Sequence, residues 1–154
     1  MKRIKPGAML ALLTAFYLHS AAQPTPPINE PNYNKPKVFA DLPEKQPIQI
    51  STVESLLNLP VGAKVNTTIA NGLLLNGTVI SRSNPADATV KSVVIKSTNR
   101  QQATFTFSRI LKHDGSISYI GRMISKDAGD ALEITREGNN YIIRKMGYYD
   151  MINE

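Results

Sequence analysis

From Lys64 to Met146, apolar and polar side chains alternate with a period of two residues, and this rhythm constrains the fold more than any other feature of the 154-residue chain. Successive side chains of a strand point to opposite faces, so period two describes sheet with one face buried and one wet. A helix would instead repeat every three to four residues. The clearest run is Ala103-Thr104-Phe105-Thr106-Phe107-Ser108-Arg109, which puts Phe105 and Phe107 on one face and predicts both in the core. Stretches 64–70 and 73–81 flank Asn71-Gly72, two residues that tolerate the positive φ of a type I′ hairpin turn. Asn76-Gly77, inside the second stretch, predicts a glycine-assisted bulge. A third strand over 89–97 divides Val93 and Ile95 from Val90 and Val94 by the pleat. The strand over 116–125 sets Ile117, Tyr119, Gly121 and Met123 against the phenylalanines, and 131–136 pairs with 141–146 across Glu137-Gly138-Asn139-Asn140. About seven strands joined mostly by short turns predict an all-β domain, a small antiparallel barrel or sandwich.

The domain is drawn over residues 48–154 and opens on Ser51-Thr52-Val53-Glu54. Ser51 followed three residues later by Glu54 predicts a hydroxyl-capped helical turn, stopped by Pro60. Two segments of different character precede it. Residues 1–22 combine Lys2, Arg3 and Lys5 with an uncharged apolar run over 8–18 and small side chains at Ser20 and Ala22, the pattern of a signal peptide cut before Gln23. The run is shorter than the roughly 20 residues a transmembrane helix needs, so the mature chain is expected to carry no transmembrane anchor and to be exported, periplasmic or extracellular. Losing those three cations halves the formal net charge of +6. Residues 23–47 hold seven of the ten prolines and read as an extended, solvated tether, with Val38, Phe39 and Leu42 able to dock on the domain.

The side-chain inventory then removes most reaction classes. With no cysteine there are no disulfides, thiolate metal sites or thiol nucleophiles. His19 lies in the leader, which leaves His113 as the mature chain's single histidine, and His113-Asp114-Gly115 reads as a solvated turn rather than part of a triad or a zinc site. Asp127, Asp130 and Glu133 are oxygen donors at a loop but lack the dense repeat of a calcium loop. No glycine-rich phosphate loop follows any strand. The expectation is a protein that is not an enzyme and carries no metal or cofactor.

What remains is a basic and aromatic set: Arg100, Arg109, Arg122 and Arg144, with Tyr148 and Tyr149 in the tail. These six are the candidate interaction residues. Export argues against nucleic acid, so the favoured partner is an exported protein, with an anionic glycan or lipid on a basic sheet face as the alternative. Residues 99–102 and 148–152 are the places to look for strand addition, although the tail also reads as a clasp packed on the barrel.

Residues 59–124 add a resemblance. The lead Leu56-Leu57-Asn58-Leu59-Pro60, the stretch Ala70-Asn71-Gly72-Leu73-Leu74-Leu75-Asn76-Gly77-Thr78-Val79, the strand Phe105-Thr106-Phe107-Ser108, and Asp114-Gly115 through Tyr119-Ile120-Gly121-Arg122-Met123-Ile124 resemble a small all-β module of exported bacterial proteins. That module occurs in a propeptide-like position ahead of some secreted zinc metallopeptidases. The resemblance implies a propeptide-like or inhibitor-like action on an exported peptidase.

Overall fold

In the computed structural model, which describes residues 32, 34–101 and 103–152, the two-residue rhythm becomes eight antiparallel strands of one sheet. They are β1 (Lys45–Pro47), β2 (Lys64–Ala70), β3 (Leu73–Arg82), β4 (Val90–Ser97), β5 (Thr104–Leu111), β6 (Ile117–Ile124), β7 (Asp130–Glu137) and β8 (Asn140–Gly147). Their spatial order is β1-β8-β7-β6-β5-β4-β3-β2, so from β2 onward each strand lies beside its successor and only β1 crosses to pair with the last. The sheet curls into a half-barrel whose edge strands meet at one bridge, Ile48 to Ala70. Helix α1 (Ile50–Ser55), running on into a 3-10 turn at Leu56–Asn58, and helix α2 (Tyr148–Ile152) complete the element list. The expected all-β antiparallel fold is observed. Its eighth strand is β1, which three residues ending in proline do not announce.

The inward parity of each strand builds one core. Val93 and Ile95 of β4, Phe105 and Phe107 of β5, Met123 of β6, and Leu132 and Ile134 of β7 are all buried, joined by Leu73, Leu75 and Val79 from β3. Phe105 stands across from Met123 and Phe107 across from Gly121, as the alternation requires. Val53, Leu56 and Leu57 of the α1 segment join the same core, so that segment is held by packing and not by its own propensity.

Three local expectations are corrected. Asn76-Gly77 lies in regular register, with Val65 opposite Gly77, and the bulges fall instead between Thr68 and Ala70 and between Val79 and Ser81. Glycine is needed at 77 for close approach, because a Cβ would press into the Lys96 carbonyl and the Ile95 side chain. At the β2–β3 turn only Gly72 takes a positive φ, +69°, whereas type I′ demands it of both central residues. Ser51 lies inside α1; the cap position is Gln49 and makes no side-chain capping bond.

The segment drawn as a tether to Pro47 gives its last part to the domain. Phe39 and Leu42 are buried in the core, and β1 pairs with β8 through Lys45–Arg144, Gln46–Ile143 and Pro47–Ile142. The residues ahead of 32, including the signal-peptide reading of 1–22, lie outside the described residues. Two polar clamps hold residues 37–42 in place. The buried carboxylate of Asp130 accepts the backbone N–H groups of Val38 at 2.7 Å and Phe39 at 3.0 Å. Arg100 grips Asp41 through both carboxylate oxygens, at 2.6 and 2.9 Å, and donates to the Val38 carbonyl. The hydrogen bond from Arg100 is the main reason the Asp41 carboxyl titrates below its ordinary 3.8. A depressed carboxylate contributes stability that is complete above its unfolded value and is lost as pH falls through the folded one. Asp41→Asn is therefore expected to flatten the part of the acid-unfolding curve below about pH 4, visible as a smaller loss of urea midpoint than wild type shows there. Because Asp41 is largely exposed, the difference should stay under about 1 kcal/mol.

Candidate functional site

The strand order decides where the six candidate residues go, and it does not gather the arginines on one face. Arg100 is part of the clamp on residues 38–41, with a side chain only 14% exposed. Arg109 lies at the other end of the half-barrel, 3.5 Å from Glu54 of α1. Arg122 and Arg144 stand on β6 and β8 on either side of Glu133 of β7, in register with it, at 3.7 and 2.7 Å. Glu133 is thereby buried between two cations on the outer face, where a carboxylate at that depth needs such partners. Each of the four arginines meets a carboxylate, so no continuous basic sheet face is formed by them.

Tyr148 and Tyr149 begin α2, which folds back on β7 and β8. Met151 is buried there, the Tyr148 N–H donates to the Gly129 carbonyl at 3.0 Å, and the Tyr149 hydroxyl accepts the Asn32 N–H at 2.9 Å. The rings meet edge to face, and Lys35 lies 5.0 Å from the Tyr148 centroid. The tail is a clasp. Of the other site considered for strand addition, 99–102, the described residues 99–101 belong to the connection between β4 and β5: the Asn99 side chain donates to the Leu74 carbonyl and accepts from the Asn76 N–H and the Ser97 hydroxyl.

The acidic and imidazole groups are also dispersed. His113 is exposed in the β5–β6 turn, and Asp114 accepts the Ser116 N–H instead of orienting it. Asp127 is exposed, Asp130 clamps the backbone and Glu133 sits between arginines. Among the described residues no three His, Cys, Asp or Glu side chains converge on a point where a metal ion could sit. No helix among them is long and apolar enough to cross a membrane.

The sheet's edges offer what the side chains do not. β1 is three residues long, carries Lys45, which pairs with Glu137, and ends in Pro47, which has no N–H to give. These are the devices that blunt an edge strand. β2 carries Lys64 and a bulge at its Ala70 end but is neither short nor closed by proline: its seven residues, Lys-Val-Asn-Thr-Thr-Ile-Ala, include four β-branched side chains, and Lys64, Asn66 and Thr68 are exposed. From Lys64 to Thr68 it pairs with β3 alone among the described strands. Where it nears β1 the two edges enclose an apolar groove of about 550 Å³ lined by Pro47, Ile48, Gln49, Thr68, Ile69 and Ala70. A second interruption in the sheet is partly satisfied internally: β6 pairs with β7 only from Gly121 on, and before it the Tyr119 N–H reaches the Tyr141 hydroxyl at 3.2 Å. Sequence reasoning missed β2 as an edge because edge position is a property of strand order, which periodicity does not carry.

Compared with known proteins, the chain matches no protein-family model, no curated protein and no solved structure.

Proposed function

We propose that this chain is an exported, non-enzymatic interaction module that receives an extended segment of a protein partner along the open edge of β2. Propeptide-like or inhibitor-like action on an exported peptidase is its most concrete form. The observation that carries the reading is the contrast between the two edges: β1 is short and closed by proline, while β2 is long, β-branched and exposed. An added strand would gain main-chain hydrogen bonds from β2, and its alternate side chains would meet Lys64, Asn66 and Thr68 on the outer face and the groove beside Ile48 and Ile69. The resemblance of residues 59–124 to a propeptide-like module points the same way.

The test places a photo-cross-linking residue at Asn66, at Thr68 or at Arg122 and exposes each full-length protein to exported peptidases. Adducts are expected from Asn66 and Thr68 and not from Arg122. Binding should change less than about threefold between low and high salt, since main-chain bonds are not screened as exposed charges are. A complex that dissolves in salt and cross-links through Arg122 would overturn the proposal in favour of an anionic glycan or lipid on the outer face.

A further inference from the structure

Opposite the end closed by residues 37–42, three neighbouring strands turn cations inward. Arg82 of β3 stands across from Val93, and Lys91 of β4 stands directly across from Arg109 of β5. Lys91 shares the parity of buried Val93 and Ile95, and Arg109 that of Phe105 and Phe107, so both emerge from the core side of the sheet at its rim. Like charges directly opposite on paired strands destabilise a sheet unless something negative lies between them. The one carboxylate available is Glu54, which engages Arg109, while Lys91 has no anionic partner among the described residues. Arg82 does not line the space between these two: it donates to the Leu59 carbonyl at 3.3 Å, and its Nε is buried with no acceptor. Two cations, Lys91 and Arg109, thus share one carboxylate around an open cavity of about 450 Å³, whose wall includes Ser51, Ser55 and Asn58 from the α1 segment.

We propose that this cavity binds a small oxyanion, a phosphate or carboxylate group, held between the Lys91 ammonium and the Arg109 guanidinium. Arg supplies a planar pair of donors suited to two oxygens of such a group, and Lys a point charge. The Ser51 hydroxyl and the Asn58 amide are the neutral donors on the helical side. The Ser55 hydroxyl is already committed to the Thr52 carbonyl. Glu54 keeps the excess charge low, so singly charged groups are favoured over polyanions. This inference is independent of partner docking on β2, which lies on a different part of the sheet.

Titrating the full-length, 15N-labelled chain with inorganic phosphate, and separately with acetate, at constant ionic strength tests it. Saturable shifts are expected at Lys91, Arg109, Ser51 and Asn58. Lys91→Met, at an exposed side chain, should weaken binding at least about tenfold, and Glu54→Gln should tighten it severalfold by removing the competing carboxylate. A short peptide with a free C-terminus against its C-terminal amide separates the sources. Preference for the free peptide over phosphate indicates a chain terminus, and preference for phosphate indicates a phosphorylated or inorganic ligand. Shifts that rise linearly with concentration, spread over the exposed lysines, or persist unchanged in Lys91→Met would overturn the proposal.

Discussion

Phe107→Ala is expected to lower the unfolding free energy by about 3–5 kcal/mol, a large part of the roughly 5–15 kcal/mol that holds a domain of this size together. Phe107 is fully buried and is the middle rung of an aromatic ladder: its ring centroid lies 6.4 Å from Phe105 and 5.7 Å from Tyr119, which meets Tyr141 edge to face at 5.4 Å. Gly121 stands directly across the strand pair and makes the room, since a Cβ there would come within 3.1 Å of Phe107 and 2.6 Å of Ile134. Removing the ring therefore leaves a void between Val93 of β4 and Gly121 of β6, and the glycine has no side chain to move into it. Urea unfolding followed by tyrosine fluorescence measures the loss, and Phe107→Leu, which keeps most of the volume, should cost roughly 1–2 kcal/mol. A loss for Phe107→Ala under about 1 kcal/mol would mean that the ring is not the centre of the core.

The second large effect is expected at Asp130. Asp130→Ala should cost about 3 kcal/mol, because two backbone N–H groups, those of Val38 and Phe39, lose a charged acceptor in a place water does not reach freely. Phe39 is fully buried, so the cost extends to the packing that those two bonds position. Asp130→Asn should recover less than half, since it turns one acceptor into a donor that faces another donor. The measurement that isolates the cause is amide hydrogen exchange at Val38 and Phe39. Protection there should fall sharply in Asp130→Ala while the β4–β5 ladder remains protected. Equal loss of protection across the sheet would show that Asp130 supports the whole fold and not this clamp.

How much of this could be read from the residues depends on what kind of information each part needs. The strands from β2 to β8 were legible because their apolar parity is strong, and the facing of Phe105 and Phe107 toward Met123 and Gly121 follows from parity and short turns alone. β1 was not legible: Lys45-Gln46-Pro47 has neither length nor alternation, and its pairing with β8 is a long-range event that proline content argues against locally. The arginines could not be placed because periodicity says inward or outward but not which strands adjoin. Arg122 and Arg144 therefore came to share Glu133, and Arg100 was taken up by the N-terminal clamp. The cationic rim does carry a signal in the sequence. Lys91 and Arg109 fall on the same parity as the core residues of their strands, so a count in steps of two from Val93 and Phe107 already turns them inward.

The partnership of the first strand with the last has a consequence for how the molecule is made. A chain emerging from the ribosome N-terminus first carries residues 45–47 through synthesis of about a hundred further residues before residues 142–144 exist to receive them. Contacts of such long separation are slow to form and leave intermediates open to aggregation. During that interval β2 to β7 can zip successively by short hairpins, but the nascent sheet has bare margins on both sides, and only completion of the C-terminus seals one of them.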